Sequence, residues 1–128
     1  MTGTVTRPSS SSVADTVSRL RELLAAKGME VFGVIDQAAE ARQVGLQLRD
    51  TVLVLFGSPL AGTPVMVASP LAALDLPLKI LIWDDDGHTK ITYTAPGTLA
   101  ARYALPPELA HNLAGIDALA DALAAGLT

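Results

Sequence analysis

Two carboxylates and an arginine are the side chains in this chain best suited by position to do chemistry. Asp36 directly follows an apolar segment, and Asp75 stands between two leucines. A carboxylate at the edge of a buried segment either satisfies a backbone donor or lies in a site that shifts its pKa. Arg102 lies on a mostly apolar helix, where it can pair with Asp75 or Asp84 or bind an acidic ligand. With Tyr93, these residues form a plausible set for general acid/base catalysis.

The same residue types also have structural interpretations. Asp36 can be the N-cap of the following helix, a role that contributes about 1 kcal/mol, and an ion pair is the favoured interpretation of Arg102. The run Asp84–Asp86 precedes a glycine, which is typical of a tight turn. His88 and His111 are the only histidines, and they do not show the spacing of metal ligands. We therefore expect no metal site and no cofactor.

Another group of residues predicts a binding pocket. The segment from Gly57 to Pro64 joins an apolar strand to a helix and contains Ser58. It lacks the lysine of a phosphate-binding loop and the Gly-x-Ser-x-Gly pattern of a nucleophilic serine. Met66 and Trp83 would suit an apolar ligand, although both also fit an ordinary core. The candidate ligand-binding residues are therefore Asp36, Ser58, Met66, Asp75, Trp83, Tyr93 and Arg102.

The elements that position these residues follow from apolar periodicity and turn signals. Ser12 is the expected N-cap of the first helix, and Thr63–Pro64 is the expected start of the third. An apolar strand over 76–83, a turn and an alternating strand over 88–94 predict a β-hairpin. The order helix, strand, helix, strand, helix, hairpin, helix, helix predicts an α+β fold. We expect a single two-layer domain with a sheet of about four strands packed with helices, mainly on one face.

Composition excludes several classes of protein. The 128 residues are 50% hydrophobic, which suffices to fill the core of one domain. Nine basic and 13 acidic side chains leave a net charge of −4, which argues against nucleic-acid binding. The chain has no cysteine, so disulfides and thiol chemistry are excluded. We expect a cytoplasmic protein that binds no membrane, because neither a spanning segment nor a signal peptide is visible.

The two ends of the chain allow predictions about disorder and oligomeric state. Residues 1–11 contain few apolar side chains and end in a run of serines, so we expect a disordered tail. Residues 12–128 are then the folded domain. We also expect a homodimer, because the last helix has more apolar surface than one sheet is expected to cover. The residues that make this apolar stripe are Leu109, Leu113, Ile116, Leu119 and Leu123.

Several short motifs occur in an order specific to one family. They include Val31–Phe–Gly–Val–Ile–Asp36, Leu55–Phe–Gly–Ser–Pro59, Gly62–Thr–Pro–Val–Met66 and Leu74–Asp–Leu–Pro–Leu–Lys79. In this order and spacing, residues 13–124 resemble the domain-of-unknown-function 302 (DUF302) family of small bacterial and archaeal proteins. The resemblance implies a compact α+β domain, often dimeric, with no settled biochemical activity. Family members often carry His and Asn where this chain has Gln37 and Ser58, so any role of that histidine is lost here.

Three classes of function remain open at this point. The leading one is a homodimeric small-molecule-binding or interaction domain, with a pocket or interface formed by the loop after Gly57 and the hairpin. The alternative is a cofactor-independent acid/base enzyme of the isomerase, lyase or cyclase type, acting on a small organic substrate. The third is a structural partner of another protein, bound through the last helix. No nucleophile–base pair or metal-ligand pattern is visible, which favours the first class.

Overall fold

A single antiparallel sheet forms the centre of the computed structural model, which describes residues 3–126. Its strands are β1 (Thr4–Ser9), β2 (Glu30–Asp36), β3 (Thr51–Gly57), β4 (Leu78–Asp85) and β5 (His88–Thr94). They lie in the order β1-β5-β4-β3-β2, and every neighbouring pair is antiparallel. The predicted hairpin is confirmed as β4 and β5, and β1 and β2 are the edge strands.

The helices are α1 (Val13–Ala26), α2 (Gln37–Gln43), α3 (Pro59–Ala68), α4 (Pro96–Arg102), α5 (Pro107–Ala110) and α6 (Gly115–Ala124). Short 3₁₀ helices cover Pro70–Leu74 and His111–Leu113. Side-chain caps begin two of the helices, as predicted. Ser12 Oγ accepts a hydrogen bond from Asp15 N at 3.0 Å, and Asp36 Oδ1 accepts one from Ala39 N at 2.9 Å.

The main core lies between one face of the sheet and helices α1 and α6. Alternate residues of β3 and β4 point into it, and the register places Val54 opposite Ile80. A smaller apolar cluster joins α3, α4 and the two 3₁₀ helices around the buried Val65 and Leu99. Leu78, at the start of β4, packs against both clusters. The elements around the smaller cluster carry the candidate site.

The α+β class is confirmed, and the sheet has one strand more than expected. That strand is β1, so the prediction of a disordered tail is wrong for residues 4–9; Met1 and Thr2 lie outside the described residues. Every residue from Thr4 to Ser9 is paired with β5, and Val5 packs against the core. Pro8 is tolerated because an edge strand can lack one backbone donor.

Two expectations about helices also need correction. Helix α3 begins at Pro59 instead of Thr63–Pro64, because Pro59 already supplies a proline at the first helical position. The predicted last helix is divided into α5, a 3₁₀ helix and α6. Its stripe is not free for a partner, since Leu113, Ile116, Leu119 and Leu123 are buried inside this chain. The apolar stripe therefore gives no support to the expected homodimer.

Candidate functional site

A cavity of about 270 Å³ lies between β2, the start of α3 and the segment that leads into β4. Most of its lining is apolar and comes from Met29, Phe32, Met66, Leu76, Pro77 and Leu113. Its polar side chains are Ser58, Thr63 and Asn112, and no charged side chain lines it. Cavities of roughly 300–1,000 Å³ hold drug-sized ligands. The volume here therefore fits a smaller, uncharged molecule.

The turn from β3 into α3 forms one wall of the cavity. Ser58 is the N-cap residue of α3, and its carbonyl accepts hydrogen bonds from Ala61 N at 3.0 Å and Gly62 N at 2.8 Å. The Ser58 side chain makes no capping hydrogen bond, so its hydroxyl is available to a ligand. Pro59 at the first helical position fixes the direction in which α3 leaves the sheet.

The opposite walls come from β2 and from the segment before α6. The ladder between β2 and β3 shifts at Phe32, between Val31 and Gly33, and a bulge of this kind redirects a side chain. Phe32 is 51% exposed, which places it at the mouth of the cavity. Asn112 Nδ2 donates a hydrogen bond to Ala61 O at 3.0 Å and so ties the second 3₁₀ helix to α3.

Ser58 and Met66 are the candidate residues that the structure brings together in this cavity. Sequence reasoning missed Met29, Phe32 and Asn112. The bulge that turns Phe32 depends on the pairing of β2 with β3, which no local pattern reveals. Asn112 is a poor helix former within the predicted last helix, and this residue type was the available local signal for a break there.

Asp75 and Arg102 meet elsewhere, as the favoured ion-pair interpretation predicted. Arg102 Nη1 lies 2.8 Å from Asp75 Oδ2, and the Tyr103 hydroxyl donates a hydrogen bond to the same oxygen. The hydrogen bond from Tyr103, followed by that from Arg102, holds the pKa of Asp75 below its ordinary value. Asp75 faces a second cavity, of about 240 Å³. At neutral pH its carboxylate is ionised.

Tyr93 belongs to a polar network beneath α6. It is only 3% exposed, and its hydroxyl donates a hydrogen bond to Asp117 Oδ1 at 2.5 Å. Burial, and then the contact with Asp117, raises the pKa of Tyr93 to about 12. Arg7 Nη2 lies 3.5 Å from the tyrosine oxygen. Arg7 Nε lies 3.0 Å from Asp121 Oδ1, an ion-pair contact without an aligned hydrogen bond.

Asp36 and Trp83 line neither cavity, and each forms a hydrogen bond within the fold. Asp36 caps α2, and Trp83 Nε1 donates a hydrogen bond to Thr92 Oγ1 at 2.9 Å. The Thr92 hydroxyl lies 2.9 Å from that of Thr6, so the chain of contacts links β4, β5 and β1. Of the residues considered for acid/base catalysis, only the aspartate–arginine pair is brought together.

Residues 3–126 contain neither a metal-ligand cluster nor a membrane-spanning helix. Within this range, no group of three or more His, Cys, Asp or Glu side chains is arranged to hold a metal ion. None of the helices described there has the length and apolar character needed to cross a bilayer. The run of aspartates before β5 forms a turn in which Gly87 N donates a hydrogen bond to Asp84 Oδ1 at 3.0 Å.

A five-stranded antiparallel sheet with helices packed on one face defines this chain as an α+β domain. The family model for the domain of unknown function DUF302 matches residues 5–125. The chain therefore belongs to the DUF302 family, and the resemblance carried by the sequence motifs is confirmed. A crystal structure of an uncharacterized conserved DUF302 protein from Bacillus stearothermophilus has the same fold. The two superpose with a TM-score of 0.82 over 100% of both chains at 22% identity.

Curated relatives include much longer proteins. The chain is 39% identical over 104 residues to the fluoride-specific ion channel FluC 1 of Brucella suis biovar 1 (strain 1330), covering 80% of this chain and 41% of that protein. FluC 1 of Brucella abortus biovar 1 (strain 9-941) matches at the same 39% identity over 38% of its length. The chain thus spans about two fifths of the curated relatives that it matches.

Proposed function

We propose that this chain is a small-molecule-binding domain whose ligand occupies the cavity between β2, α3 and the segment before β4. The observation that carries the proposal is the lining, which is mostly apolar, includes three polar side chains and has no charge. An apolar wall with a few fixed polar groups suits a ligand of the same character. The ligand is small and uncharged, because a charged group would lose its hydration there without gaining a countercharge.

The Brucella relatives support a binding role that accompanies other activities. A segment similar to most of this chain is joined, in those proteins, to sequence outside the alignment, and the proteins are named as fluoride channels. We propose that the shared segment supplies ligand recognition in them and in this chain. We propose that this chain binds its ligand in the cytoplasm.

We propose that the domain acts as a homodimer, formed by edge strand β2 pairing with β2 of a second copy. The other edge strand, β1, contains Pro8, which weakens pairing on its outer side, whereas β2 contains no proline. Exposed apolar side chains also gather on and after β2: Phe32, Val34, Ile35, Val44, Leu46 and Leu48. Antiparallel pairing of one strand with itself is compatible with a two-fold axis, so a second copy offers a matching edge.

Binding of indole tests the proposed cavity. Indole is small, uncharged and mostly apolar, and its single N–H can donate to Ser58, Thr63 or Asn112. We expect saturable binding by calorimetry and a loss of about tenfold or more in affinity in Met66→Trp, whose larger side chain fills the cavity. Val67→Trp is the matched control, because Val67 is the next residue of α3 and is 77% exposed.

The comparison of the two tryptophan variants shows whether indole binds in the cavity. If indole binds Met66→Trp as tightly as the natural chain, the cavity is not the site. If indole does not bind the natural chain at all, the proposal of an apolar small-molecule site fails. Circular dichroism on each variant shows whether a lost affinity reflects a filled cavity or an unfolded chain.

A further inference from the structure

The pairing between β4 and β5 ends before the two strands do. Pairing between these strands stops at Leu81 and Thr92, although β4 begins at Leu78 and β5 continues to Thr94. Beyond that point, β4 still pairs with β3, and β5 still pairs with β1. At this end of the sheet, β4 and β5 are therefore not paired with each other.

The second cavity lies beside the unpaired ends of β4 and β5. Leu78 and Lys79 line it from β4, and Thr94 lines it from β5. Its remaining lining is Leu74, Asp75, Leu99 and Ile116, so it combines an apolar wall with two charged side chains. The cavity of the proposed function has no charged lining, and Leu78 is the residue that both cavities share. The two cavities therefore suit ligands of different chemistry.

The two charged residues of the second cavity differ in how far their charge is already matched. The Asp75 carboxylate is paired with Arg102 and accepts a further hydrogen bond from Tyr103. Lys79 Nζ donates a hydrogen bond to the carbonyl of Pro77 at 3.1 Å and forms no ion pair within residues 3–126, although its charge contributes to lowering the pKa of the nearby Asp75. An ammonium group has three donors. Arg102 and Lys79 together carry two positive charges beside the single Asp75 carboxylate, so the net charge at this cavity is positive, and Lys79 retains donors for a ligand.

We propose that this second cavity binds a small organic monocarboxylate with an apolar tail. The Lys79 ammonium pairs with the ligand carboxylate, and the Thr94 hydroxyl donates a hydrogen bond to it. The tail packs against Leu78, Leu99 and Ile116. The volume of about 240 Å³ limits the ligand to a short chain. This site differs in chemistry from the cavity that carries the proposed function, with which it shares only Leu78.

A titration with sodium butyrate, followed by two-dimensional ¹H–¹⁵N NMR, tests this site. We expect saturable shifts at the amides of Lys79 and Thr94, which line this cavity and not the first. Butyramide has the same shape without the charge, and we expect it to bind about tenfold more weakly or not at all. Sodium fluoride supplies an anion without a tail, and we expect no saturable shift at these amides.

Two lysine variants test which ammonium group binds the carboxylate of butyrate. Lys79→Met should weaken butyrate binding by about tenfold or more. Lys90→Met is the matched control, because Lys90 lies on the neighbouring strand β5 and lines neither cavity. We expect it to bind butyrate as the natural chain does. Should Lys79→Met not fold, Thr94→Val and the comparison of butyrate with butyramide on the natural chain still decide the question.

The proposal is overturned if butyramide or fluoride binds as well as butyrate, or if the two lysine variants lose affinity equally. It is also overturned if butyrate produces no saturable shift at Lys79 and Thr94. None of these outcomes affects the indole experiment, because indole carries no charge and its predicted site contains no lysine.

Discussion

At the scale of single residues, the polar side chains of this domain are held by partners that also set their protonation. Tyr93 is buried against Asp117, and Asp75 accepts hydrogen bonds from Tyr103 and Arg102. Burial opposes ionisation of the tyrosine, whereas the donors around Asp75 favour its charged form. The pKa of Tyr93 is therefore raised, and that of Asp75 is lowered.

The raised pKa of Tyr93 predicts how this side chain titrates. In Tyr103→Phe, Tyr93 is the only tyrosine, and tyrosinate absorbance should show a midpoint at about 12 against an ordinary value of 10.0. Because the folded pKa is the higher one, the associated stability is fully present below pH 10 and is lost as the pH rises through 12. Circular dichroism at each pH is the control for unfolding. A midpoint near 10 in the folded chain would contradict the burial of Tyr93.

Sequence reasoning succeeded for residues whose partners are local or whose chemistry is unusual. The cap formed by Asp36 involves an amide three residues away, and the charge of Asp75 between two leucines required a partner such as Arg102. The partners of Tyr93 could not be found in this way. Arg7 and Asp117 are 86 and 24 residues distant, and only the assembled sheet and α6 bring them together.

At the scale of elements, β1 shows how a strand is stabilised by its neighbour and not by its own composition. Its residues are mostly polar, but Val5 packs against the core and Arg7 joins the network beneath α6. The strand pairs with β5 along its whole length. An isolated segment of this composition would not fold, because it buries too little apolar surface to offset its loss of conformational entropy.

Removal of residues 1–10 tests the role of β1. We expect a loss of more than about 2 kcal/mol in the free energy of unfolding, measured by urea denaturation, because the deletion exposes the edge of β5 and Tyr93. The double substitution Thr4→Ser and Thr6→Ser is the control, since it keeps the backbone pairing. A truncated chain as stable as the natural one would show that β1 is dispensable and that these residues act as a tail.

The elements predicted correctly from the sequence have strong local signals. β3 is a continuous apolar run, the hairpin has a turn rich in aspartate and glycine, and α1 has both a cap and an apolar stripe. Helix α3 offered two proline signals, at Pro59 and Pro64, and local rules could not rank them. The apolar stripe of the C-terminal segment predicted one helix, but the spacing of apolar residues does not show where a chain bends.

At the scale of the whole molecule, apolar surface is distributed unequally over the domain. The core between the sheet, α1 and α6 uses the stripe of the C-terminal segment, which the sequence alone suggested as an interface. Exposed apolar side chains lie instead in two groups, one at the β2 edge and the segment that follows it, and one on α3 and the first 3₁₀ helix. An edge strand of this kind favours pairing with another strand.

Sedimentation of the natural chain tests the proposed homodimer. At tens of micromolar, we expect a mass twice that of the 13.2 kDa chain. Val34→Lys should shift the population towards monomer, because a charge on an edge strand opposes pairing. Val67→Lys, on an exposed position of α3, is the control. A natural chain that sediments as a monomer contradicts the proposal, as does equal dimerisation of both variants.

The most direct measurement of the central claim is a two-dimensional ¹H–¹⁵N NMR titration of the natural chain with indole. The account predicts saturable shifts confined to the amides around the cavity, in the turn from Gly57 to Thr63 and at Asn112. The amides of Leu53 and Leu81, which lie within the sheet and line neither cavity, should stay unchanged. Shifts that fail to saturate, or that centre on the sheet instead of the cavity, would contradict the proposed binding of a small molecule in this cavity.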